Sequence, residues 1–218
     1  QTYYRENELM ATLTLIGERH MAQYDIIFTH TPARAASIHH VPYSHTESYV
    51  NPEVSMPEAE MARYAWAVYG SDRKYNQVVS KAHGMKAIVN NIYSIGDYFF
   101  IDYSLQNKTK IPYDIEELRI KLTDKKEVKA TNSQTIELTP AYSLNLAKKF
   151  KKNYRNVLVI PKLTFPDEKV LRLEISENQI SGRVITLTIE YEDILNADGF
   201  DSDILKKLPF TYQPHIYK

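Results

Sequence analysis

Lys86-Ala87-Ile88-Val89-Asn90-Asn91-Ile92-Tyr93, then Ser94-Ile95-Gly96-Asp97, then Tyr98-Phe99-Phe100-Ile101-Asp102-Tyr103-Ser104-Leu105 is the stretch that decides the fold. Two runs rich in β-branched and aromatic residues flank four residues with hairpin-loop chemistry. The same signal continues downstream. Ile115, Leu118, Ile120 and Leu122 predict another strand, ending at Thr123-Asp124-Lys125-Lys126. Further strands are expected at Gln134 to Thr139, Asn156 to Ile160, Val170 to Ser176 and Arg183 to Ile189, and a short closing helix at Tyr191 to Ala197. Short strands at this spacing, with turn signals between them, predict an immunoglobulin-like antiparallel β-sandwich over 82–198.

Upstream, Ser55-Met56-Pro57-Glu58 reads as a helix start: Ser55 as cap, Glu58 completing a capping box, Pro57 in the tolerated first turn. Met61, Tyr64, Ala65 and Val68 share one helical face and Gly70 is a natural stop. A second, less regular piece follows to Lys81, so 56–81 reads as a helical connector. Residues 30–55 hold Pro32, Pro42, Pro52 and the histidines His30, His39, His40 and His45, with little apolar period. They read as a proline-rich linker, extended around each proline. Before it, Leu9, Ala11, Leu13 and Leu15 alternate with Met10, Thr12, Thr14 and Ile16, and Met21 to Phe28 returns after Gly17-Glu18. That is a hairpin over 8–29. A lone hairpin is marginal in water, so residues 1–29 are expected to close a larger, truncated N-terminal β-domain. An irregular tail is expected over 199–218.

Composition narrows the function. The 218 residues carry 27 Lys+Arg against 27 Asp+Glu, so the formal charge is zero. That argues against direct nucleic-acid binding, which rests on basic contacts to phosphate. Four basic and eight acidic residues precede Gly70, leaving 23 and 19 after it, so the sandwich is mildly basic. No apolar run approaches the roughly 20 residues of a membrane-spanning helix. Cysteine is absent, which removes disulfides, thiolate metal sites and a cysteine nucleophile. The six glycines are isolated, so no phosphate-cradling loop exists. The 17 tyrosines favour pleated surfaces and interfaces.

Candidate chemistry is sparse. The histidine group lacks the tight pairs and acidic ligand of a zinc site and reads as solvated linker, so no metal and no cofactor is expected. Asp97 and Asp102 are the one conceivable carboxylate pair, but Asp97 reads as a turn residue and Asp102 as an outward strand position. Lys148-Lys149, Lys151-Lys152 and Arg155 form the one basic run. It suits phosphate or headgroup contact and equally a solvated turn, which zero net charge favours. Asn107-Lys108-Thr109 fits a glycosylation acceptor but reads as a turn. No catalytic residue is assigned and the chain is not expected to be an enzyme.

Leu105-Gln106-Asn107-Lys108-Thr109-Lys110-Ile111-Pro112-Tyr113-Asp114-Ile115, Leu118-Arg119-Ile120-Lys121-Leu122, Asp124-Lys125-Lys126, Pro140, Phe165-Pro166-Asp167-Glu168-Lys169-Val170-Leu171, Gly182-Arg183 and Asp193-Ile194-Leu195 follow a further pattern. In this order they resemble the TraN family of Bacteroides-type conjugative transposons, most strongly over 84–197. Where that family often carries Lys-Arg-Thr this chain has Lys129-Ala130-Thr131, so no role of that arginine carries over. The resemblance implies a VirB/CagX-like component of a type IV secretion outer-membrane core complex, periplasmic and outer-membrane associated. Its implied partners are other conjugative-transfer proteins, including a lipoprotein, in a homo-oligomeric ring. Sheet edges and apolar patches would then carry assembly, with Val41, Tyr43, Tyr49, Trp66, Tyr98, Phe100 and Tyr103 as the expected interface. The alternative is a stand-alone ligand- or carbohydrate-binding β-sandwich that stacks sugars on its tyrosines.

Overall fold

The structure, a computed structural model, describes residues 4–36, 38–49, 54–75, 77–125, 135–179 and 182–199. The chain divides into two compact units, Gln1–Pro57 and Glu58–Lys218.

In the first unit β1 (Leu9–Ile16) and β2 (His20–Ile27) form the expected antiparallel hairpin, with a register shift between Leu9 and Ala11. Gly17 N–H donates to the His20 carbonyl at 2.8 Å and closes the turn. The proline-rich stretch departs from the extended linker. Pro32–Arg34 and Tyr43–His45 coil into single 3-10 turns, and β3 (Glu47–Ser48) pairs with β2, so the sheet runs β1-β2-β3. Tyr43 packs edge-on against His20 at 4.9 Å, and Tyr24 against His39 at 4.8 Å. Glu6 receives Thr29 Oγ1 at 2.8 Å and His30 N–H at 2.6 Å, which holds its carboxyl below the usual range. The backbone is extended at Thr31 and Pro42, as expected beside prolines, but ring contacts and one β-bridge fold the segment back. Pro52 lies outside the described residues.

The second unit opens with α1 (Glu58–Gly70), which buries Met61, Ala62, Ala65 and Val68. The helix stops at Gly70. The expected connector to residue 81 is not helical: its end is β4 (Val79–Ala82), which pairs with β5 (Met85–Ile95). The β-branched Val78-Val79 finds ladder partners on a neighbouring strand, and a sequence window of this length cannot see them. β6 (Tyr98–Asn107) follows across a two-residue turn in which Gly96 takes φ +54°. Then come β7 (Tyr113–Asp124), β8 (Ile136–Leu138), β9 (Tyr142–Ser143), β10 (Lys149–Phe150), β11 (Asn153–Pro161), β12 (Lys169–Glu177), β13 (Val184–Ile189), α2 (Tyr191–Leu195) and β14 (Asp198–Gly199). Gln134 and the tail from 200 on lie outside the described residues.

Two sheets result. One runs β10-β7-β12-β13 with β8 also on β7; the other runs β14-β5-β6-β11-β9 with β4 also on β5. All pairings within them are antiparallel except β14 on β5. The sheets close on Ile101, Leu105, Ile120, Leu158, Leu173 and Leu187, each 0 or 1% exposed. Burying a side chain of this kind contributes roughly 1.5–3 kcal/mol. The architecture is therefore mainly β, an antiparallel β-sandwich. Its second sheet is covered on both faces, because α1 packs on β6, β9 and β11. This explains why Val157-Leu158-Val159-Ile160 is continuously apolar rather than alternating: all four are 0% exposed.

Candidate functional sites

The best-built polar cluster lies between α1 and the sheet beneath it. A β-bulge at β5, between Val89 and Asn91, turns Asn90 and Asn91 together toward Asp102 of β6. Asp102 is fully buried, and each of its oxygens has two donors. Oδ1 accepts from Asn90 Nδ2 at 2.9 Å and Arg155 Nε at 2.9 Å; Oδ2 accepts from Asn91 Nδ2 at 3.2 Å and Arg155 Nη2 at 2.6 Å. Arg155 also lies over the Tyr69 ring at 4.7 Å, and Asn91 reaches Ser71 Oγ and the Asp72 carbonyl beyond the helix end. The bond to Asp102 holds the Arg155 guanidinium above its ordinary value. Asp102 does point outward from its sheet, but into a covered layer, so it is neither a solvent residue nor half of a carboxylate pair. Asp97 sits in the hairpin turn, its carbonyl bonded to Lys162 N–H at 2.8 Å. A carboxylate with every lone pair engaged has no free position for proton transfer; it clamps the C-terminal end of α1 to the sheet.

A second charged pair joins the end of β12 to the residue before β13. Arg183 forks onto Glu177 at 2.8 and 2.5 Å, and also donates to Thr109 Oγ1 at 3.1 Å and the Pro112 carbonyl at 3.2 Å. These bonds hold the Glu177 carboxyl below the usual range. Tyr113, stacked under Arg183 at 5.0 Å, donates its hydroxyl to the Ile175 and Arg183 carbonyls, and burial pushes its phenol up to about 12. The acceptor-like Asn107 is buried: its Nδ2 donates to the Ile111 carbonyl at 2.7 Å and its Oδ1 accepts from Thr109, so it is a turn-forming side chain.

A shallow groove of about 400 Å³ runs between β4 and β13, lined by Ser80, Thr186, Thr188, Glu190, Glu192 and Asp193. Two of its three acids, Glu190 and Asp193, are engaged. Tyr75 Oη donates to Asp193, Lys125 pairs with Glu190 at 2.6 Å, and Asp193 and Glu190 form the capping box of α2. Among the described residues no three His, Asp or Glu side chains converge as metal ligands, and no helix is long and apolar enough to cross a membrane.

The expected interface residues fall in both units, and two of the seven are buried. Tyr43 is 76% exposed, Val41 and Trp66 are exposed, and Tyr49 and Tyr98 are half-buried. Phe100 and Tyr103 are buried, Phe100 under Tyr64 of α1 and Tyr103 in the core beside Tyr154, so neither is available to a partner. Nor is β6 an edge: β5 and β11 pair with it on its two sides. Among the described residues eight strands are paired on one side only, β1, β3, β4, β8, β9, β10, β13 and β14, and β1, β4 and β13 are the longest of them. Trp66 packs edge-on against Tyr69 at 5.7 Å. Of the tyrosines in the described residues, Tyr93, Tyr103, Tyr113 and Tyr154 are buried, Tyr4 and Tyr43 are exposed, and the others are half-buried.

Fold and sites together define a β-sandwich domain that carries a helix on one sheet and has its buried charges internally matched. Residues 58–199 match the family described as "Domain of unknown function (DUF4138)", and the chain belongs to that family. No curated protein matches the chain, and no solved structure matches it.

Proposed function

We propose that the protein is a structural component of a conjugative-transfer apparatus of the type IV secretion class, acting through protein–protein contacts in an outer-membrane core complex. Membership of the family over 58–199 carries this reading, because that span contains nearly all the residues through which the sequence resembles TraN. The saturated state of Asp102 and Glu177 supports it: both buried carboxylates are spent on architecture. The longest one-sided strands, β1, β4 and β13, are suited to strand addition by neighbours, with main-chain hydrogen bonds supplying affinity. The protein would work in the periplasm beside a lipoprotein, in a ring of its own copies.

The test is affinity purification of the tagged full-length protein from membranes of conjugation-competent cells, followed by mass spectrometry. Recovery of other transfer proteins and a lipoprotein in one large particle is expected. A lone monomer from cells still able to transfer DNA would sink the reading.

A further inference from the structure

Two lysine-bearing loops, far apart in sequence, meet at one end of the sandwich. Lys108 and Lys110 stand between β6 and β7; Lys148, Lys149, Lys151 and Lys152 flank and include the start of β10. All six are exposed. Backbone bonds fix the loops together: Asn107 N–H donates to the Lys152 carbonyl at 2.7 Å, Ile115 N–H to Lys148 at 2.7 Å, and Lys108 N–H to Gly84 at 2.9 Å. The nearby carboxylates are committed, Asp114 to Lys149 at 3.0 Å and Glu177 to Arg183 at 2.5 Å. Glu117, further along β7, is held by Arg119 at 2.7 Å, with Glu116 beside it. Lys108, Lys110, Lys148, Lys151 and Lys152 have no carboxylate partner among the described residues.

The same two loops carry two exposed large apolar side chains. Ile111 is 62% exposed and Leu146 is 77% exposed. Each is presented by a hydrogen-bonded turn. The Ile111 carbonyl accepts from Asn107 Nδ2 and Thr109 Oγ1; beside Leu146, Asn145 accepts Ala147 N–H at 3.0 Å and Tyr154 Oη at 2.7 Å. The far end carries Asp97, Asp124, Asp167, Glu168, Glu190 and Glu192 together with Lys125, Lys162 and Lys169, so among the described residues acids outnumber bases there and the basic excess lies at the lysine end.

We propose that this basic end docks on an anionic phospholipid surface, its lysines reaching the phosphates while Ile111 and Leu146 enter the acyl boundary. Basic side chains are drawn to anionic bilayers and apolar ones anchor there, and the two together bind more stably than either alone. Nucleic acid fits less well. Single-strand binding needs stacking rings, and Tyr113, Phe150 and Tyr154 are all buried. The contact goes beyond the assembly reading and does not depend on it.

The test is co-flotation of the full chain with phosphatidylglycerol/phosphatidylcholine vesicles and with phosphatidylcholine vesicles alone. Binding to the anionic vesicles only, weakened by salt, is expected. Lys151→Gln with Lys152→Gln should weaken it about 25-fold, from roughly a five-fold loss per lysine. Ile111→Ser with Leu146→Ser should reduce vesicle binding at unchanged melting temperature, since both side chains are exposed. No flotation of the full chain would overturn the proposal, as would lysine variants that float like the parent. Serine variants that hold vesicles and a DNA duplex as tightly as the parent would reduce the surface to a general polyanion contact. Self-association lost in the lysine variants, without vesicle binding, would assign this end to the acidic end of another copy.

Discussion

The β1–β2 hairpin and the central strands of the sandwich are written in similar residues but buried very differently. All eight positions of β1 are exposed, and of the two hairpin strands only Ala22 is buried. Val157 to Ile160 of β11 are 0% exposed at every position. The difference lies in the layers. β11 has a second sheet on one face and α1 on the other, whereas within its own unit, among the described residues, the hairpin's sheet has the 30–48 segment folded along it. Apolar alternation therefore reports a strand's backbone, and burial depends on what the rest of the chain supplies to cover it.

The sandwich's covered layers should make it intolerant of substitution. The largest effect is expected at Asp102→Ala, which strands Arg155, Asn90 and Asn91 in a covered layer. A loss of about 3–5 kcal/mol follows from breaking a buried pair, measurable by urea unfolding. A loss below 1 kcal/mol would mean water replaces the carboxylate, and that α1 is a looser cover than its packing implies. Next comes Leu173→Ala on β12, a fully buried position where truncation should cost roughly 2–5 kcal/mol.

The same layering explains which parts of the fold were legible in the sequence. The strands β5, β6, β7, β11, β12 and β13 are readable because each is long enough to show either an apolar alternation or an unbroken apolar run. β4, β9, β10 and β14 have two to four residues and become strands only through their partners. Asp102 looked like an outward polar position because nothing in Phe100-Ile101-Asp102-Tyr103 says that a helix covers that face. Asn90-Asn91 was the available signal: two adjacent amides inside an apolar run mark a bulge whose side chains need a partner. The basic end was half legible. Lys148 to Lys152 stood out as a run, but Lys108 and Lys110 join it only through the backbone bond between Asn107 and Lys152.

The two hairpin turns offer a smaller contrast. Gly84, between β4 and β5, sits at φ +73°, and an added Cβ would lie 2.5 Å from Thr109 Cγ2. Thr109 is fixed by Asn107 and Arg183, so Gly84→Ala should cost about 1–3 kcal/mol. Adding Thr109→Ser removes the methyl clash and should recover part of the loss, leaving the backbone strain. Gly17→Ala in the β1–β2 turn meets only the His20 carbonyl at 3.2 Å and should cost less. Both are read from shifts in thermal midpoint.

Alkaline titration sharpens the same contrast from the core side. The folded Tyr113 phenol is raised from 10.0 to about 12, so its neutral form is the one the sandwich binds. That stability is fully present below pH 10.0 and is lost as pH rises toward about 12, because only the unfolded chain ionises readily in that window. Urea midpoints should fall over this range. Tyr113→Phe should flatten part of the fall, at the cost of the bonds to Ile175 and Arg183.

The smallest expected effect is the most informative about the first unit. Leu13→Ala in β1 makes the same chemical change as Leu173→Ala in β12, but Leu13 is 43% exposed and its strand is paired on one side only. Surface substitutions of this kind usually shift stability by less than about 0.5 kcal/mol. Unfolding of the full chain should therefore barely move. A loss comparable to that of Leu173→Ala would show that β1 is covered in solution by something that buries Leu13. The comparison would then invert, with β1 as an interface strand of the assembled protein. In that case Leu13→Lys should release the covering partner, read as a change in particle mass by light scattering. If both Leu13 variants unfold and sediment like the parent, the hairpin tolerates exposure because its stability comes from β2 and the ring contacts of Tyr24 and Tyr43.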